Sequence, residues 1–432
     1  MPTAVGETRV VQTGPARAGM RQMRPQTIVA KSAWTISTAS IIVYLFVVHS
    51  SKINLASVAI GIGLFGTLLQ DRPWRSSPSL SWFAAFLAWS IITVPGSVNT
   101  SDSFDAWIDM VKLLLIMFLM VNAVRSPRQH RLITLAWLGM FAFYPVRGIL
   151  VNFLNGNATF GRYAWNFAFS NPNDFAALSL IPFAMSLERL RSTDKKWVRV
   201  CALAGMLSIP FIILITQSRG GELGLAIMFL YLLARSRYRV KLAITAGVVA
   251  VGGLMFAPQS VWDRIKGMTY LTSVETLGQS DSSAEQRYVI MQVAQAIVAD
   301  NPVSGVGIGN YGNVHEVYAR NRPEWAMASG PRDTHNTYLH VLAETGVVGL
   351  ALFLMIFVSA YWELAKKARS LKRSNSPGDR VIRDRCQAYQ AAFVGLTVCS
   401  IFGSLHVFVF PYLLVAIAIA SIRLQTPVTR VA

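Results

Sequence analysis

NPVSGVGIGN at residues 301–310 and DTHNTYLH at residues 333–340 interrupt a chain otherwise built of long apolar runs. Both belong to a segment from Ala257 to Gly346 that is polar, aromatic and rich in helix signals, and its contrast with the flanking runs decides the fold. The chain has 432 residues, of which 53% are hydrophobic and 14% charged. A soluble domain carries about 25% charged residues, so this is the composition of a polytopic membrane protein. The polar segment then reads as one long loop held on a single face of the membrane by the spans around it.

Outward from that loop, apolar runs long enough to cross about 30 Å of hydrocarbon, or nearly so with tilt, recur near residues 33–49, 53–70, 80–97, 106–124, 131–153, 173–189, 198–216, 220–235, 239–257, 341–364, 387–404 and 407–423. The expected fold is an all-α integral membrane protein with about twelve transmembrane helices. Alternate loops carry the basic residues: Arg72 and Arg75; Arg125, Arg128 and Arg131; Arg189 to Arg199; Arg235 to Lys241; Lys366 to Arg385. By the positive-inside rule these loops and both termini are cytoplasmic and the polar segment is external. The net charge of +19 is thereby explained by topology, and nucleic acid is not an expected partner. The expected organisation is a disordered basic cytoplasmic tail at 1–31, helices one to nine at 32–257, a partly helical external loop at 258–340, and helices ten to twelve with a short cytoplasmic tail at 341–432. Cys201, Cys386 and Cys399 are odd in number and none lies in the long loop, which argues against a disulfide framework.

Arg147, Arg162, Arg219 and Arg287 depart from the topological pattern by falling on the external side. Each alone could snorkel to lipid phosphates, but their shared side suggests a common anionic ligand. Arg219 sits in TQSRGGE, residues 216–222, where a hydroxyl from Ser218 and a guanidinium meet a Gly-Gly helix start. Backbone N–H groups there, beside a planar fork of donors, suit a phosphate or pyrophosphate, while Gly-Gly serves a tight interhelical turn equally well. Arg287 follows two overlapping capping-box spacings, Ser282 with Glu285 and Ser283 with Gln286. Val289, Ile290, Val293 and Ile297 continue as a helical apolar stripe.

The Gly305, Gly307 and Gly309 run follows a helix on the external side rather than a strand of a cytosolic βαβ unit, so it reads as close backbone packing or a turn and not as a nucleotide loop. Metal binding is not expected either. His335 and His340 would lie about 140° apart on a helix, and no His-Glu-x-x-His pattern occurs. No cofactor is expected. Asp333-Thr334 resembles a helix cap, which would place His335 at the start of the following span.

Ser218-Arg219-Gly220, the Arg287 helix leading to Asn301-Pro302 and Gly305-Val-Gly307, His335-Asn336 with Tyr338-Leu339 ahead of Glu344-x-Gly346, and Asn171-Pro172-Asn173 together resemble the O-antigen ligase and O-antigen polymerase superfamily over about residues 30–425. The resemblance implies a GT-C-like membrane glycosyltransferase at the periplasmic face of a bacterial inner membrane. Its donor would be a glycan on undecaprenyl pyrophosphate, and its acceptor the lipid A core for a ligase or a second lipid-linked repeat for a polymerase; the ligase is favoured. It further implies that His335 is the general base and that Arg219 and Arg287, with Arg147 and Arg162, bind the pyrophosphate. Ser218, Asn336, Tyr338, His340 and Glu344 would support the site or the acceptor. A transporter of an anionic lipid or sugar is the competing reading from another class, but it would more often show broken helices and ionisable residues near the midplane.

Overall fold

Ser or Asn followed by Pro marks the entry to four helices, and in three of them the side chain accepts from a free backbone N–H while proline is preset for the first turn. Ser77 accepts from Leu80 N, Ser126 from Gln129 N and Asn171 from Asn173 N. The computed structural model describes residues 33–50, 55–70, 72–158, 162–165, 169–192, 194–236, 282–374 and 376–424, with isolated helical positions between 239 and 262. Among them the helices are α1 (Ile36–Ser50), α2 (Ala56–Leu68), α3 (Pro78–Thr93), α4 (Thr100–Ala123), α5 (Pro127–Phe141), α6 (Arg147–Leu154), α7 (Pro172–Leu178), α8 (Leu180–Arg191), α9 (Lys196–Thr216), α10 (Arg219–Arg235), α11 (Ser282–Asp300), α12 (Tyr311–Arg320), α13 (Thr337–Ser370), α14 (Pro377–Cys399) and α15 (Val409–Ile422). No strand occurs among the described residues. Most of the expected span at 239–257, most of residues 258–281 of the expected loop and the tail at 1–31 lie outside them.

Four of these stretches, Pro78–Gly96, Pro127–Leu154, Lys196–Thr216 and Thr337–Ser370, are long and apolar enough to cross a membrane; α1, α2 and α15 are apolar but shorter. Three expected spans are interrupted, the one at 341–364 by Gly346. A π turn at Ala142–Val146, containing Pro145, separates α5 from α6, and α7 passes into α8 at Ser179.

Residues Phe410–Ser421 of α15 are buried on every side, as expected of a helix apolar all round. It packs against α4, α5, α8, α13 and α14, and Tyr412 stacks on Phe83 of α3 with ring centroids 5.0 Å apart. One end of α14 is fixed by buried charges: Arg385 Nε lies 2.7 Å from Glu188 Oε1, which also pairs with Arg189. Arg189 in turn reaches Asp194 at 3.0 Å. Two arginines counted in the basic loops are therefore buried partners of acids.

Residues 282–336 form a smaller core of their own. Val289, Ile290, Val293 and Ile297, the stripe read from the sequence, bury against Tyr311, Val314, Trp325 and Ala343. This layer joins the helices through a break in α13. Gly346 has φ 68° and ψ −174°, which frees backbone groups of the preceding turn. Val306 N donates to Ala343 O at 3.0 Å, Gly307 N to Glu344 O at 2.9 Å, and Val347 N to Pro302 O at 2.9 Å. The glycine run thus docks on the helix break, backbone against backbone, as its spacing suggested. A Cβ on Gly305 would lie 2.3 Å from the Glu344 carbonyl carbon, and one on Gly346 1.9 Å from Val303 O. Gly346→Ala combines that clash with a left-handed φ, so it should lower stability by at least about 2 kcal/mol. Thermal unfolding of purified protein checks this, with Gly61→Ala, which meets nothing within 4 Å, as a control expected to be neutral or stabilising.

Candidate active site

His335 stands before α13, not within it, and has φ 50°. A left-handed non-glycine residue costs about 1 kcal/mol or more and persists only where its neighbours hold it. They do so here. On one side Thr334 Oγ1 accepts from Asn336 N at 3.1 Å. On the other, Thr337 N donates to Ser400 O at 2.8 Å and Gly403 O at 3.1 Å, and Tyr338 OH donates to Thr397 O at 2.8 Å. The helix cap is Asn336, whose Oδ1 accepts from Tyr338 N and Leu339 N, rather than the Asp333-Thr334 pair read from the sequence. Asp333 is committed elsewhere.

The Asp333 carboxylate bridges two histidines. Its Oδ1 accepts from Ser404 Oγ at 2.6 Å and faces His340 Nδ1 at 3.1 Å, while Oδ2 lies 3.9 Å from His335 Nδ1. Burial alone would raise its pKa, but His340 and Ser404 outweigh this and hold it well below the usual carboxylate range. His340 Nε2 lies 3.2 Å from Glu344 Oε1, one helical turn on. Glu344 is buried and also accepts from Tyr311 N at 3.1 Å, so the chain Glu344, His340, Asp333, His335 begins at the glycine-run contact. His335 itself is pushed below its ordinary pKa, first by burial and then by Arg287 and Arg332, against the opposing pull of Asp333. The ring is therefore neutral at neutral pH.

The expected arginines are placed as follows. Arg162 donates through Nε to Thr216 O at 2.9 Å and through Nη2 to Asn173 Oδ1 at 2.7 Å, joining the end of α9 to the start of α7. Arg219 opens α10, which Ser218 caps by accepting from Gly221 N at 3.2 Å. The following Gly220 lies against Phe402, where a Cβ would come 2.8 Å from the phenylalanine Cβ. Arg287, in the second turn of α11, acts electrostatically on both His335 and Asp174. Asp174 in turn lies against Gly403, which holds Thr337. Of these three arginines, Arg287 acts on His335 directly, whereas Arg162 bonds Asn173, next to Asp174, and Arg219 precedes the glycine that lies against Phe402. Arg147 is exposed, its guanidinium 5.6 Å from the Phe143 ring, and no described contact ties it to this group.

Beside Asp333 opens a cavity of about 330 Å³, whose wall includes Met110, Ile308, Arg332, His340, Glu344 and His406. His406 was not singled out in the sequence, although it is the ionisable residue between the last two apolar runs. Its ring centroid lies 4.3 Å from that of His340. Asp174 was also missed, although it directly follows the Asn171-Pro172-Asn173 motif. One potential ligand atom each from His340, Glu344 and His406 lies within 4.8 Å of the others, a donor set that suits a divalent cation such as zinc. In the arrangement present, however, both ring nitrogens of His340 face carboxylates, which suits a protonated ring. Bound metal would require one of those contacts to be exchanged.

A family model described as O-antigen ligase matches residues 203–354. The match contains Arg219, Arg287, His335, His340 and Glu344; it starts after Arg162 and Asp174 and ends before His406. A Rickettsia felis protein provisionally named a polysaccharide ligase is 23% identical over 341 residues, covering 76% of this chain and 78% of that protein. The segment that carries Arg219, Arg287, the strained histidine and the docked glycine run is therefore the part of the chain that is similar to the O-antigen ligase family.

Proposed function

We propose that the chain is an O-antigen ligase, a glycosyltransferase moving a preassembled glycan from undecaprenyl pyrophosphate to the lipid A core at the periplasmic face of the bacterial inner membrane. The observation that carries this is His335, held in a left-handed conformation with its pKa lowered, beside Asp333 and within reach of the Arg287 charge. In the proposed step the acceptor hydroxyl oxygen bonds to the anomeric carbon of the donor. The bond from that carbon to the phosphate oxygen breaks, and its electron pair leaves with the pyrophosphate. The hydroxyl proton passes to His335 Nε2, since Nδ1 faces Asp333. Arg219, Arg287 and Arg162 neutralise the charge that develops on the leaving group, and Arg147 is an outlying member. The arginines supply the electrostatics, so the step needs no metal.

His335→Ala should retain donor binding and lose single-turnover transfer by about a hundredfold or more, the range for a general base. Arg219→Ala and Arg287→Ala should lose about a hundredfold, with Lys rescuing in part because it lacks the bidentate fork. The assay supplies purified protein with lipid-linked oligosaccharide, with or without lipid A core. Normal turnover in His335→Ala would remove it as the base, and product formed without core would indicate a polymerase. Transfer should also survive a chelator; a loss restored by a divalent cation would place an ion on His340, Glu344 and His406.

The base must be neutral, so activity should fall as pH drops through the His335 pKa, below about 6.5. Asp333 raises that pKa whereas burial, Arg287 and Arg332 lower it. Asp333→Asn should therefore move the acid limb of the kcat profile to lower pH, and an upward shift would contradict the assignment.

For topology, both termini are proposed to be cytoplasmic and the 258–340 loop periplasmic. Asn310, inside that loop, is fully buried and bonded to Asn99 and Ser103, so exposed Asn321 is the better probe. In a cysteine-free background, a cysteine replacing Asn321 should react with an impermeant thiol reagent in cells with a permeabilised outer membrane, and one replacing Lys372 should not. The reverse pattern would invert the orientation.

A further inference from the structure

Hydrogen bonds tie the turn between α14 and α15 to the start of α13. Thr337 Oγ1 donates to Gly403 O at 2.7 Å and accepts from Leu405 N at 2.8 Å, and Ser404 Oγ donates to Asp333. His406 comes next in the same turn. It is 6% exposed, its ring faces that of His340, and its Nδ1 has no hydrogen-bond partner among the described residues. A buried polar atom left unpaired costs free energy, so an unseen partner is the first thing to look for. The surroundings point to a cation. His340 Nε2 lies 3.2 Å from Glu344 Oε1. Two ligand atoms on a tetrahedral zinc, with bonds of about 2.0–2.1 Å, stand about 3.3 Å apart. One ring nitrogen of His406 lies within 4.8 Å of both, so closing the triangle takes a shift of about 1.5 Å at most.

We propose that His340 Nε2, Glu344 and His406 form a binding site for a divalent transition metal, zinc by its donor set, which fastens the turn at 405–407 to α13. Two imidazoles and one carboxylate suit zinc, whereas magnesium and calcium prefer oxygen donors throughout. The ion enters between His340 Nε2 and Glu344 Oε1 and replaces their direct contact. His340 Nδ1 keeps its place 3.1 Å from Asp333 Oδ1, so its N–H donates to a carboxylate, as the second nitrogen of a metal-bound histidine ordinarily does. The fourth position falls to water from the cavity of about 330 Å³ that His340, Glu344 and His406 help to line, which is also the route of entry. The ion stands outside the proposed transfer, which uses His335 and the arginines. Metal-free protein transfers glycan, and bound zinc adds a tie beside those of Thr337 and Ser404.

Two measurements without any glycan donor test the site, so its failure is distinct from a failure of the proposed transfer. In the first, tag-free protein in nanodiscs is stripped with a chelator and titrated with zinc chloride. One zinc should bind per chain, and saturation should raise Tm by about 3 °C. His406→Gln and Glu344→Gln should weaken binding about a hundredfold or more, and Asp333→Asn, which leaves the ligands in place, about tenfold. Cys201→Ser removes an exposed thiol and should change nothing. Melting in chelator establishes that each variant is folded before its binding is read. In the second, zinc X-ray absorption on the wild type, which needs no variant, should show two imidazoles and oxygen at about 2.0–2.1 Å and no sulfur. No one-to-one endpoint, undiminished binding in His406→Gln and Glu344→Gln, or a shell containing sulfur or oxygen alone would overturn the proposal.

Discussion

The docking of the 303–307 backbone onto the broken turn of α13 at Gly346 is the contact on which the site depends. A helix break inside a packed protein exposes carbonyl and N–H groups that are costly to leave unpaired. Here a glycine run supplies the partners, and side chains larger than hydrogen at Gly305 or Gly346 would hold the two strands of backbone apart. Glu344 lies on the last turn before the break and receives Tyr311 N from just beyond the glycine run. Its position fixes His340, His340 fixes Asp333, and Asp333 faces His335. The order of these contacts is one of geometry, from backbone to buried carboxylate to histidine, before any chemistry is considered.

Charge is distributed asymmetrically around that chain. Its far side holds Glu344, His340 and Asp333 in close mutual contact, so its charges are largely spent on one another. Outside that chain, Arg287 and Arg332 act on His335 as cations. His335 feels both Asp333 and these two arginines, with burial and the guanidinium groups outweighing the single carboxylate. A histidine used as a proton acceptor needs such a setting: near enough to an acid to fix its ring, and not so near that it is kept protonated.

Much of this was legible in the sequence because it depends on local pattern. The apolar runs coincide with helices throughout the described residues, the stripe from Val289 to Ile297 is buried as its spacing required, and the glycine run packs backbone on backbone. His340 and Glu344 meet because they are four apart on a helix. The rest was hidden because it depends on residues brought together from distant parts of the chain. Nothing local marks Gly346 as a break rather than a small residue in an apolar run, and it becomes one only when residues 302–307 arrive to pair with it. Asp333 resembled a helix cap by position, yet Ser404 and His340 claim it. His406 gains meaning only beside His340. The broken helix, read in the sequence as a mark of transporters, here lies under a docked loop with its backbone groups paired.

The order in which the chain is made adds a constraint of its own. Thr337, on which the position of His335 depends, is held by carbonyls of Ser400 and Gly403, and Asp333 by Ser404. The helix buried on every side, α15, comes later still. Residues 400–404 must therefore be synthesised before the strained histidine acquires its supports, and α15, which packs against five other helices, follows them. Such long-range closure makes the conformation of His335 contingent on chain 66 to 71 residues beyond its own turn, so local unfolding of the 400–404 segment would release the histidine as well.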